Sequence, residues 1–109
     1  MTKDFEDYKL AHYFLYRREL KKWETEKIYT NLFLNDWSEL MKLVDEIEFQ
    51  ETDNGHYEVR MHIDETIIVD DHFNDFITTD GGDRQENTYK ACVEYIKWYK
   101  EMKEDGYVD

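Results

Sequence analysis

Apolar positions recur at helical spacing over three stretches of the chain and alternate strictly over one, which already divides it into helices and a small sheet. The longest helical stretch, Asp83 to about Lys103, carries Tyr89, Cys92, Val93, Ile96 and Tyr99 in one stripe and Ala91, Tyr95, Trp98 and Met102 in a second beside it. Lys90, Glu94, Lys97, Glu101 and Glu104 are left to share the polar face. A helix apolar over more than half its circumference must be covered from more than one side, so it is expected to lie on a sheet with another helix against its flank. Asp83 at the N-cap with Glu86 three positions on forms a capping box that fixes the start; Gly81-Gly82 precede it and Gly106 is placed to end it.

Asp36-Trp37-Ser38-Glu39 is a second capping box, opening a helix to about Glu48 whose buried face is Trp37, Leu40, Met41, Val44 and Ile47. Residues 4–25 predict a first helix with Phe5, Tyr8, His12, Leu15, Tyr16, Leu20 and Trp23 towards one side and a basic patch of Arg17, Arg18, Lys21 and Lys22, read as a solvated face. Lys27 to Leu34 is rich in aromatic and β-branched residues and reads as a short strand or an extended lead-in, with continuation of the first helix as the alternative. From Tyr57 to Ile63 the period is two: Tyr57, Val59, Met61 and Ile63 face one way, Glu58, Arg60 and His62 the other. Asp53-Asn54-Gly55 turns the chain before this strand, and Asp64-Glu65 turns it into a second, Thr66 to Val69, to give an antiparallel hairpin. Phe73 to Thr78 supplies a third strand or an ordered loop. The expected fold class is therefore α+β, a single domain over residues 1–109 with three helices packed on a small antiparallel sheet of two to three strands.

A chain of 109 residues buries one core. Its mean hydropathy of −0.93 would suit a disordered segment, but 17% aromatic content would not, because disordered chains lack the large apolar side chains that a core needs. No apolar run is long enough to span a bilayer, the N-terminal stretch lacks a signal peptide's apolar region, and the lone Cys92 cannot form an internal disulfide; together these imply a cytoplasmic protein with no membrane partner.

Charge changes the picture most. The formal net charge is −13, and it is uneven: residues 1–30 hold seven basic and six acidic side chains, residues 31–109 seven and twenty-one. Such a surface repels phosphate, which argues against direct nucleic-acid binding and in favour of a protein partner with a basic surface. The densest run, Asp64 to Glu86, opposes eight acids with Arg84 alone. Asp64, Glu65, Asp70, Asp71, Asp75 and Asp80 are the candidate partner-binding residues, expected to form one continuous outward field in which each offers a carboxylate to Lys or Arg; solubility is the competing explanation for the same charges.

Chemistry is poorly supported by comparison. Asp70, His72 and Asp75 could assist a hard cation in a small metal-dependent enzyme, but the spacing matches no calcium loop, and His12, His56, His62 and His72 show no zinc-type spacing. Cys92 sits among apolar neighbours rather than in an electropositive setting, and no phosphate-binding glycine motif or nucleophile elbow is present. No enzyme activity and no cofactor are expected. A further alternative is a plain interaction or regulatory module, as a homodimer through Tyr95, Trp98 and Met102.

Two stretches resemble a group of small uncharacterised proteins of phages and prophages. Asn35 to Glu48, NDWSELMKLVDEIE, is similar to their tryptophan-led helix, W-x-x-L-M-x-x-V-x-x-I-E, and Thr88 to Glu101, TYKACVEYIKWYKE, resembles their closing helix, Y-x-A-x-V-E-[FY]-I-K-W-Y. Short strands lie between the two in that group. The shared residues are caps and core, so the resemblance implies a fold and a mobile-element setting rather than an activity. For a small acidic protein, that setting implies an inhibitor of a host defence system, such as a CRISPR effector, acting as a nucleic-acid mimic.

Overall fold

The computed structural model describes residues 3–18, 31–52 and 54–104. It is an α+β fold: α1 (Lys3–Tyr16), α2 (Leu32–Asn35), α3 (Trp37–Phe49), β1 (Glu58–Met61), β2 (Glu65–Val69), β3 (Asp75–Asp80) and α4 (Arg84–Glu104). The sheet is antiparallel in the order β1-β2-β3, with Val59 opposite Ile68 and Ile68 opposite Ile77. Its helix-facing side is built from Val59, Thr66, Ile68 and Ile77.

The expectation for the closing helix holds. α4 lies across β1, β2 and β3 and is flanked by α1, α2 and α3. Tyr89, Ala91, Cys92, Val93, Tyr95, Ile96 and Tyr99 are all buried, and Trp98 and Met102 pack partly buried against the same core. Covering both stripes at once is what so wide an apolar arc requires. Asp83 accepts from the Glu86 N–H at 2.8 Å, as an N-cap should. Gly106 lies outside the described residues.

α3 also starts where the sequence places it. The Asp36 carboxylate accepts from Ser38 N at 2.9 Å and Glu39 N at 3.4 Å. The capping box is not reciprocal, because the Glu39 carboxylate bonds instead to the Tyr16 hydroxyl and to Lys42 Nζ. Leu40, Val44 and Ile47 are buried as expected, Leu43 joins them, and Trp37 stays 42% exposed.

Three local expectations are corrected. The sequence pattern extends the first helix to residue 25, but α1 ends at Tyr16, because Arg17 turns left-handed at φ 58° while its N–H still bonds Tyr13 O at 2.8 Å. Its buried side is Phe5, Tyr8, Ala11, His12 and Phe14, with Tyr16 exposed; Leu20, Lys21, Lys22 and Trp23 lie outside the described residues. Arg17 stays exposed, as a solvated face implies, and pairs with Glu46 of α3 at 3.1 Å. The extended lead-in is not a strand over its described part, since Asn31 caps α2 by accepting from Phe33 N at 3.1 Å, which lets Phe33 enter the core between Tyr8 and Tyr89. In the sheet, Ile63 lies 79% exposed in the β1–β2 turn, and the third strand runs from Asp75 to Asp80 rather than Phe73 to Thr78.

That last shift has a local cause. Asp70 accepts at one carboxylate oxygen from the N–H groups of His72 and Asn74, both at 2.9 Å, and Phe73 adopts φ 65°, so residues 70–74 form a turn instead of strand. Just beyond it the ladder skips a residue: Ile68 faces Ile77 but Val69 faces Asp75, which leaves Phe76 as a bulge. The bulge carries the Phe76 ring to Tyr57 (centroids 5.0 Å apart) and Trp98 (4.9 Å).

Candidate protein-binding surface

The six candidate acids gather at the two ends of the β2–β3 hairpin. Asp70, Asp71 and Asp75 sit at the turn; Asp64, Glu65 and Asp80 sit at the opposite end. Six residues of β3 separate the groups by about 16 Å at the ordinary strand rise. They are therefore two clusters, not one continuous field. Among the described residues none of the six takes part in an ion pair.

Their environments differ. Asp70 is committed to the turn, and its carboxyl is held below the usual carboxylate range, first by the Asn74 N–H and also by that of His72. Asp71 is exposed but lies against the Thr52–Gly55 turn, where a Cβ added at Gly55 would come within 2.8 Å of its Cγ. Asp75 opens β3 opposite Val69.

At the far end, Glu65 and Asp80 are direct cross-strand partners. The ladder's phase brings them close. His62 N–H donates to Glu65 O at 2.9 Å, so Glu65, Ile67 and Val69 bond towards β1, and Thr66 and Ile68 bond towards β3. Glu65 and Asp80 then form a non-hydrogen-bonded pair, the arrangement with the shorter side-chain separation.

A buried polar knot supports this end. Asn87 of α4 is fully buried; its Oδ1 accepts from Gly82 N at 3.0 Å, and its Nδ2 donates to Gly82 O at 3.0 Å and to Asp64 O at 3.4 Å. Beside it, Thr79 Oγ1 donates to Asn87 O at 2.6 Å, and the buried Thr66 and Thr88 hydroxyls share a hydrogen bond of 3.0 Å. Sequence reading gave none of these residues a role. The available signal was three polar residues, Asn87, Thr79 and Thr66, at positions where the apolar pattern wants a buried side chain.

The alternatives meet specific geometry. Asp70, His72 and Asp75 are not brought together: among the described residues no group of three or more His, Cys, Asp or Glu could hold a metal ion. The stripe proposed for a homodimer is used internally, since Tyr95 is wholly buried and Trp98 packs against Tyr57, Phe76 and Tyr95. Cys92 is enclosed, and burial pushes its thiol pKa up, so it stays protonated at neutral pH. No helix among the described residues is long and apolar enough to cross a membrane.

Sequence reading also missed an open groove of about 750 Å³ between β3 and α4. Its floor is apolar, from Leu34, Ile77, Tyr89 and Val93, and Asp7, Glu86, Lys90 and Glu94 stand around it. These residues come from four elements far apart in the chain, so no local pattern announces them.

Comparison with family models, with curated proteins and with solved structures finds no match to this chain.

Proposed function

We propose that this domain is a protein-binding inhibitor of phage type that presents the acids of its β2–β3 hairpin to a basic, nucleic-acid-handling surface of a host defence protein. The observation that carries the reading is the Glu65–Asp80 pair. Like charges directly opposite each other on a sheet destabilise it, by about 0.2–1 kcal/mol. Solubility asks only for net charge, and exposed positions on α3 and α4 supply that without strain. Two carboxylates set side by side suit a guanidinium or ammonium group arriving from a partner. The second cluster, about 16 Å away along β3, extends the footprint to the scale of a small protein interface.

The reading is tested by affinity capture from host cells, followed by titration of the captured protein at rising salt. Asp70 is a poor place for charge reversal because its carboxylate builds the turn, so Asp71→Lys and Asp80→Lys are the informative variants. Together they should weaken binding at least about tenfold, and salt should weaken the wild type in the same direction. Asp80→Lys should leave the fold slightly more stable. A third variant, Asp80→Asn with Lys100→Gln, keeps the formal charge at −13 and separates recognition from solubility. Unchanged affinity in all three variants overturns the proposal.

A further inference from the structure

The two edges of the sheet are treated differently. With the hydrogen-bond phase fixed by His62 and Glu65, the N–H of Val59 on β1 points outward, and the Glu48 carboxylate of α3 accepts it at 2.9 Å. That edge is capped at this one point, since the N–H and C=O of Met61 also turn outward and among the described residues nothing bonds them. On β3 the same phase turns the N–H and C=O of Thr78 and Asp80 outward, and among the described residues nothing bonds them. A free edge is a template for another strand, and folded proteins ordinarily block it. This one borders the open groove, whose floor is apolar.

We infer that the groove between β3 and α4 is a docking site for an extended segment of a partner protein, which adds to the sheet as a fourth strand and carries basic residues on either side of an apolar one. The chemistry of the rim selects the segment. Asp7 is already paired with Lys97 at 3.2 Å, which leaves Glu86 and Glu94 to meet incoming charge. They are eight residues apart on α4, about 12 Å along the axis. Residues i and i+4 of a strand share one face at about 13 Å, and i+2 points between them. The segment therefore reads Lys/Arg-x-Φ-x-Lys/Arg, with Φ an apolar side chain set on Tyr89 and Val93. Main-chain bonds to Thr78 and Asp80 supply affinity, and the two charges and Φ supply selectivity. The site is separate from the Asp70–Asp75 turn and does not need that cluster to be the partner's contact.

The test uses the full chain and the synthetic peptide acetyl-TRTLTRT-amide, followed by backbone amide chemical shifts and calorimetry. Shifts are expected at residues 77–80 and 86–94. Exchanging both Arg for Glu in the peptide should weaken binding at least about tenfold, and Lys90→Glu in the protein, which removes the cation between the two rim acids, should strengthen it several-fold. Two further peptides carry N-methyl groups on alternate amides, one set each. Adding a strand at an edge uses only one set, so one peptide should lose at least about tenfold and the other should bind like the parent. Absence of binding up to about 1 mM, equal loss with both methylated sets, or shifts confined to residues 70–75 would each overturn the inference.

Discussion

Replacing Asn87 by Ala removes one side chain and releases three structures at once: the start of α4, the Gly81-Gly82 bend and the β1–β2 turn. Two of its hydrogen bonds, both to Gly82, are 3.0 Å long; the third, to Asp64 O, is 3.4 Å and adds little. At about 1 kcal/mol net for each good bond, with an added cost for leaving the half-buried Gly82 amide poorly hydrated, the loss is about 2–3 kcal/mol. The Thr79 bond to the Asn87 carbonyl survives, because it uses backbone. With a urea slope of about 1.5 kcal/mol/M for a chain of this size, the unfolding midpoint should fall by about 1.3–2 M with the slope unchanged. Asn87→Asp gives an internal check. It keeps an acceptor for Gly82 N but buries a carboxylate facing two carbonyls, which raises its pKa in the folded state. The penalty is then greatest above that raised pKa and fades as pH falls through it, so Asp should recover relative to Ala in acid. A midpoint shift in Asn87→Ala below about 0.3 M would refute the argument that this knot holds the acidic end of the hairpin.

Gly55 has φ 86°, and an added Cβ would meet the Asp71 side chain at 2.8 Å, so Gly55→Ala should cost about 1–2 kcal/mol and lower Tm by about 5–10 °C in a thermal melt. The Asp70 carboxyl is held below its ordinary pKa, chiefly by the Asn74 N–H, so its contribution is complete above about pH 4 and is lost as pH falls through the folded value. Urea midpoints between about pH 2 and 6 should therefore show a shallower acid limb in Asp70→Asn than in wild type, and identical limbs would exclude this role. Cys92 should react with a thiol reagent only through opening of the fold, at least about 10³-fold more slowly than in urea; rapid labelling of the native protein would contradict its enclosure under α4.

What could be read from the sequence follows how local each signal is. Asp36 and Asp83 announce their helices because a cap acts within three residues, and the double stripe on α4 states its own need for a sheet and a flanking helix. Asn31 carries the same kind of signal, but it opens a helix of only four residues, Leu32–Asn35, too short to show a period against a background of aromatic and β-branched neighbours. The pattern sets the third strand two residues early because Phe73 and Asp75 fit an alternation as well as Asp75 and Ile77 do. The deciding facts were the Asp70 side chain's bonds to two amides and the bulge at Phe76, neither of which periodicity can express. The six acids were found as a run in the chain; their division into two clusters appears only once β2 and β3 pair.

That division relocates the functional argument onto one strand. β3 ends in Asp80, directly opposite Glu65 in the ladder, borders an apolar groove, and leaves Thr78 and Asp80 main-chain groups unpaired among the described residues. Each feature alone is a modest local cost. At the other edge Glu48 reaches from α3 to bond the outward Val59 N–H of β1, a partner that no described residue gives to the outward N–H groups of β3. Charge chosen for solubility alone would fall anywhere on the surface, and an edge left open by chance would not be expected to adjoin both rim acids and an apolar floor. An extended cationic segment of another protein suits such a surface, because one incoming strand would satisfy the free amides, cover the floor and neutralise Glu86 and Glu94 in a single event.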